Sequence, residues 1–189
     1  KAMISVNYFE PETQSWHARS WSQLPQQIPA DARLWINLND ASLDEQLAVL
    51  QRFAITPTIA EDFSKQRHPP KLEAQTDFTL LVLRGYADAD FSDYTSSAQV
   101  NLLYSKQVLI SRIHCHNAQL LTQLTPQLSG SQTSTIADWV KQLILAVSAS
   151  YLEKLINFEE EQSELEDVMQ HRGSDEQMAR IMRYRSVLR

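Results

Sequence analysis

Two hydrophobic periods run along this chain, and the change from one to the other divides it. Over residues 3 to 128 the apolar positions come in short runs: branched and aromatic residues concentrate at Met3–Phe9 and Leu34–Leu38, and similar runs recur over 78–84, 98–104 and 107–114. These runs predict strands. Between them, Ser42–Phe53 predicts a helix, because Ser42 and Glu45 are spaced as a capping box and Leu43, Leu47 and Leu50 fall on one face. A second helix is expected from Thr56-Pro57, with proline at the first helical position, where its missing N–H does no harm. The expected fold class is α/β (α+β): a mixed sheet packed with helices in an αβα sandwich over residues 1–130.

The period then lengthens. After a Ser-Gly-Ser-Gln-Thr-Ser linker at 129–134, Ile136, Val140, Leu143, Val147, Tyr151, Leu155, Phe158, Leu165 and Met169 recur at three- and four-residue steps. They predict one amphipathic helix from about Thr135 to His171, too long for a single compact core to cover. Gly173 is expected to cap it, and Ser174 with Gln177 to start a second helix that turns back. The first of these helices carries Glu159, Glu160, Glu161, Glu164, Glu166 and Asp167, the second Arg180, Arg183, Arg185 and Arg189. Opposite charges favour an antiparallel hairpin over 131–189, though exposed ion pairs contribute only about 0–1 kcal/mol each. The chain ends inside a helical pattern, which is read as a truncation, and Met3 as a native start.

Composition narrows the function. The net charge of -6 disfavours nucleic acid, whose phosphates require a clustered basic face, and is compatible with cations. Three glycines leave no room for a Walker loop or a dinucleotide fingerprint, and Gly-x-Ser-x-Gly, His-Glu-x-x-His and Cys-x-x-Cys are missing. An enzyme is therefore the least favoured class. The single cysteine, Cys115, excludes an internal disulfide and fits a reducing compartment. The longest apolar run, Leu143–Val147, falls far short of the roughly 20 residues that cross a bilayer, so the chain is expected to be soluble as it stands.

The candidate chemistry lies between Pro57 and Arg84, where the adjacent carboxylates Glu61 and Asp62 precede a stiff Pro69-Pro70 corner. Mg²⁺ is a hard ion that prefers oxygen and takes one or two carboxylates while keeping several waters, so a weak surface site can be assembled from an acidic pair and a neighbouring subunit. The plain alternative is that Glu61 pairs with Lys65 one turn later and Asp62 is solvated. His114-x-His116 around Cys115 hints at zinc, but on a strand both histidines share one face and the thiol points to the other. A polar strand end is the better description. The glutamate run of the long helix is read as a solvated face.

In this order the motifs resemble the cytoplasmic domain of the CorA family of divalent-cation channels. Trp35-Ile36-Asn37-Leu38 is similar to the family's Trp-Ile-Asp/Asn-Leu strand. Glu61-Asp62, Pro70-Lys71, Glu73 and Phe78–Arg84 are similar to its Glu-Asp…Arg-Pro-Lys-x-Glu…strand block. Gln99–Leu103 and Lys106–His114 resemble its paired strands, and Tyr151–Met169 its first long helix. Two features depart: His68-Pro69 stands where the family has Gln-Arg, and the Gly-Met-Asn pore signature is absent. The resemblance implies a homopentameric Mg²⁺ or Co²⁺ channel of the bacterial inner membrane, with this domain on its cytoplasmic side. It further implies that Mg²⁺ bound between subunits at Glu61 and Asp62 holds the pore closed. A Zn²⁺ transporter of the ZntB branch is the nearest rival, and a metal-sensing or scaffolding module without transport is the next.

Overall fold

The computed structural model describes residues 4–86, 97–115, 135–171 and 175–187. Its strands are β1 (Ser5–Glu10), β2 (Ser15–Arg19), β3 (Arg33–Asn37), β4 (Lys71–Ala74), β5 (Thr79–Tyr86), β6 (Ser97–Tyr104) and β7 (Val108–Cys115). They form one sheet in the order β2-β1-β3-β7-β6-β5-β4. Only β3 and β7 run parallel; the other neighbours are antiparallel. A parallel pair needs a long crossover. Helices α1 (Leu43–Arg52) and α2 (Pro57–Ser64) lie within it and cover one face of the sheet.

Strand periodicity divides the side chains between two cores. On β3, Leu34 and Ile36 point toward α1 and α2, while Trp35 joins Val100, Leu102 and Leu109 on the opposite face. That second face is closed by the first part of α3 (Ile136–His171), through Ile136, Trp139, Val140, Leu143 and Val147. The result is the expected αβα sandwich. Thr135 and Asp138 cap α3 reciprocally, with Asp138 N–H donating to Thr135 Oγ1 and Thr135 N–H to Asp138 Oδ2.

Past the sheet, α3 loses its cover. Leu155 belongs to the sequence stripe that predicts packing, yet it is 52% exposed, as is much of Leu152 and Ile156. A helix of 36 residues is about 54 Å long, more than one sheet face can cover. Leu165 is buried again, and α4 (Asp175–Val187) follows. The 129–134 linker, the Gly173 cap, Ser174, His116 and Arg189 lie outside the described residues, as do the side chains of Met169, Gln177, Arg183 and Arg185.

Three local findings depart from the sequence expectation. The edge strands β2 and β4 are too short and polar to show a period, and each needs its neighbour's ladder to form. On α1, the inward side chains are Gln46, Val49 and Leu50, whereas Leu43 and Leu47 are exposed. The capping box itself forms, with Glu45 N–H donating to Ser42 Oγ and Ser42 N–H to Glu45 Oε2. Finally, α1 ends without a glycine: Ala54 adopts φ 54°, with its N–H on the Gln51 carbonyl and the Ile55 N–H on that of Leu50. This is a Schellman cap, where a Cβ is unfavourable. Ala54→Gly is expected to stabilise the domain by about 1 kcal/mol, and an unchanged or lower denaturant midpoint would contradict this.

Candidate functional site

Glu61 and Asp62 are neighbours in sequence but about 100° apart around the α2 axis. Ile59, Ala60 and Phe63 set the inward face of the helix, and Asp62 lies on it while Glu61 faces out. Asp62 is only 7% exposed; the Glu61 side chain is 70% exposed. The solvated Asp62 of the plain sequence reading is thereby overturned, whereas the Glu61–Lys65 pair does form, at 3.1 Å.

Asp62 is held on both oxygens. Lys71 Nζ, from the start of β4, donates to Oδ2 at 2.6 Å, and Lys65 Nζ donates to Oδ1 at 3.0 Å. His68 Nε2 lies 3.4 Å from Oδ1, while its Nδ1 donates to the Pro69 carbonyl, which can only accept. The hydrogen bonds from Lys71 and Lys65 outweigh desolvation and lower the Asp62 pKa from 3.8 to about 2. Lys71 also meets Glu73 at 2.5 Å. Glu61, Lys65, Asp62, Lys71 and Glu73 thus alternate in sign from the end of α2 to β4.

The sheet beneath supplies what the helix end lacks. The last carbonyls of a helix have no partner within it. Here Asn101 Nδ2 donates to the Phe63 carbonyl at 2.8 Å, Arg112 Nη1 to that of Ser64 at 2.7 Å and Gln99 Nε2 to that of Lys65 at 2.9 Å. Gln99 Oε1 accepts the His68 N–H, its Nε2 also donates to Asn101 Oδ1, and Arg84 Nε donates to the His68 carbonyl. Burial pushes the Arg112 guanidinium below its ordinary pKa. Strand register brings this group together, since Arg84, Gln99 and His114 are paired in a row across β5, β6 and β7, with Asn101 and Arg112 paired beside it. Gln99, Asn101 and Arg112 stand in no motif that marks them as site residues. Their signal was polarity at inward positions of otherwise apolar strands.

Beside Glu61 an apolar groove of about 570 Å³ opens between α1 and α2, lined by Leu43, Leu47, Ile55, Pro57 and Ala60 with Lys65 at its rim. Chemically, Glu61 fits a hard dication as one exposed oxygen ligand whose competitor, Lys65, is a weak surface partner. Asp62 does not offer a free oxygen, since each already accepts from an ammonium group. Among the described residues no three His, Cys, Asp or Glu side chains converge as a metal site. Nor is any described helix long and apolar enough to cross a membrane.

A family model described as "CorA-like Mg2+ transporter protein" matches residues 31–189. Comparison with curated protein sequences finds no match. Among solved structures, the chain is similar to the complete CorA magnesium transporter from Methanocaldococcus jannaschii, with TM-score 0.66 and 17% identity over 100% of this chain and 57% of that one. It matches the soluble domain of the same transporter with TM-score 0.66 and 18% identity, over 99% of this chain and 72% of that one. The ZntB cytoplasmic domain from Vibrio parahaemolyticus gives TM-score 0.62 and 15% identity, over 86% of this chain and 65% of that one. At these identities the structural matches show a shared fold. The chain spans a little over half the length of the complete transporter, 57%.

Proposed function

This chain belongs to the family of CorA-like Mg²⁺ transporter proteins, and from that premise we propose that it is the cytoplasmic regulatory domain of a divalent-cation transporter. In this proposal, Mg²⁺ held between neighbouring copies at Glu61 steadies a closed homopentameric ring, and loss of the ion lets the ring loosen. The observation that carries it is the outward carboxylate of Glu61 at the rim of an exposed apolar groove, a surface suited to a second copy. Symmetry repeats a carboxylate at each contact, and a bound cation offsets the repulsion. Asp62 contributes by anchoring α2 to β4, which fixes the direction in which Glu61 points. Mg²⁺ and Co²⁺ are the proposed cargo.

The test uses the intact transporter. Glu61→Gln keeps shape and removes one charge, and is expected to raise the Mg²⁺ concentration that halves flux about tenfold. An unchanged concentration would place Glu61 on an ordinary solvated face. A second reading, a Zn²⁺ transporter, is favoured by the likeness to the ZntB domain. Flux measured with Zn²⁺ against Mg²⁺ separates the two.

A further inference from the structure

We propose that Arg112, with Ser64, forms a site for a small oxyanion, a phosphate ion or the phosphate group of a nucleotide, where the sheet meets the end of α2. Such a site is independent of the outward Glu61 and of any cation. Arg112 Nη1 donates to the Ser64 carbonyl at 2.7 Å, which leaves the edge formed by Nε and Nη2 without an acceptor among the described residues. Nε is buried and makes no hydrogen bond, and the Ser64 hydroxyl is likewise buried and unbonded. The open edge is the fork with which arginine takes two oxygens of a phosphate side by side. Ser64 is the residue that Arg112 already touches, so its hydroxyl belongs to the same neighbourhood.

Capping α2 does not account for the charge. Asn101 and Gln99 cap the carbonyls of Phe63 and Lys65 from the same sheet with neutral amides, both of them buried. A guanidinium held partly out of water without a counter-ion costs free energy that an amide in its place would not. Desolvation acts on Arg112 with no carboxylate opposing it. Arg84 repeats the arrangement from β5: it lies on the same face of the sheet, donates Nε to the His68 carbonyl at 3.3 Å and meets no carboxylate among the described residues. Two positive charges therefore flank the buried amides of β6, and neither is paired.

Donor geometry selects the ligand. Two parallel N–H groups match the spacing of two phosphate oxygens, and a hydroxyl adds a third donor, whereas chloride offers no such pair of oxygens. The net charge of -6 gives the chain no general attraction for anions, so affinity has to come from this local set of donors. A water molecule between Arg112 and Ser64 would satisfy hydrogen bonding and leave the charge unbalanced. The two fillings differ in their response to added phosphate.

The experiment titrates this chain with sodium phosphate, and separately with sodium chloride at matched ionic strength, while the arginine Nε–H and backbone amide resonances are followed by NMR. The Arg112 Nε–H signal is expected to shift saturably with phosphate, with a Kd in about the millimolar range, and to stay in place with chloride. Arg112→Lys keeps the charge and loses the fork, and is expected to bind phosphate at least about tenfold more weakly, read at the Lys65 amide. Ser64→Ala is expected to weaken binding about threefold, since it removes one neutral donor. The absence of a saturable shift overturns the inference, as does an equal shift with chloride or an unchanged affinity in Arg112→Lys. Should Arg112→Lys fail to fold by circular dichroism, the Arg112 signal of the parent decides on the same criterion. Adenosine monophosphate, titrated in the same way, identifies the source of the phosphate: tighter binding than phosphate points to a nucleotide, and equal or weaker binding to the free ion.

Discussion

Asn101→Leu is expected to lower the unfolding free energy by about 2–4 kcal/mol, the largest effect of any single polar substitution in the sheet. Asn101 is fully buried, and leucine keeps the number and branching of its side-chain heavy atoms while removing both polar ones, so the hydrogen-bond partners are lost. The Phe63 carbonyl and one N–H of Gln99 would be left inside the protein with nothing to bond. Each such orphan costs about 1–3 kcal/mol, while the leucine regains part of this through apolar burial. Urea unfolding followed by tryptophan fluorescence reads the change. A loss under 1 kcal/mol would mean that the helix end finds water or moves to new partners.

Asp62→Asn is expected to cost about 1–2 kcal/mol at neutral pH and almost nothing in strong acid. The folded pKa of about 2 lies below the ordinary 3.8, so the unfolded chain binds the proton more readily. The stabilisation is then fully present above about 3.8 and disappears as the pH falls through about 2. The lower end of the range is set by Lys65 and Lys71, whose side chains reach water and are partly screened. Parallel unfolding curves from pH 7 to pH 2 for parent and variant should therefore converge on acidification. Curves that stay equally separated over the whole range would show that Asp62 acts through shape and hydrogen bonding alone. Because Asp62 ties α2 to the edge strand β4, the variant is also expected to exchange the β4 amides faster.

Local pattern carried much of this far. The capping box of Ser42 and Glu45, proline at the start of α2 and the long period from Ile136 onward are dictated by neighbours within four residues, and the structure keeps all three. The alternation in β3, β5, β6 and β7 is equally local, because one face of each must meet α1 and α2 and the other α3. The motif order pointed to the CorA family for the same reason: it follows strands and turns whose spacing can be read from the chain alone.

What only the tertiary structure decided is the meaning of the polar positions. Sequence placed Glu61 and Asp62 side by side and treated them as one acidic pair, yet helix geometry sends one into water and the other into a cluster of lysines. Lys71 lies nine residues from Asp62, and Asn101 lies 38 from Phe63; no local period connects them. Those contacts exist because β5, β6 and β7 align in one register under the end of α2, which depends on the whole sheet being paired. Likewise, Leu43 and Leu155 obey helical periodicity and remain exposed, since a period reports that a face is apolar and only the arrangement of neighbours determines whether anything covers it.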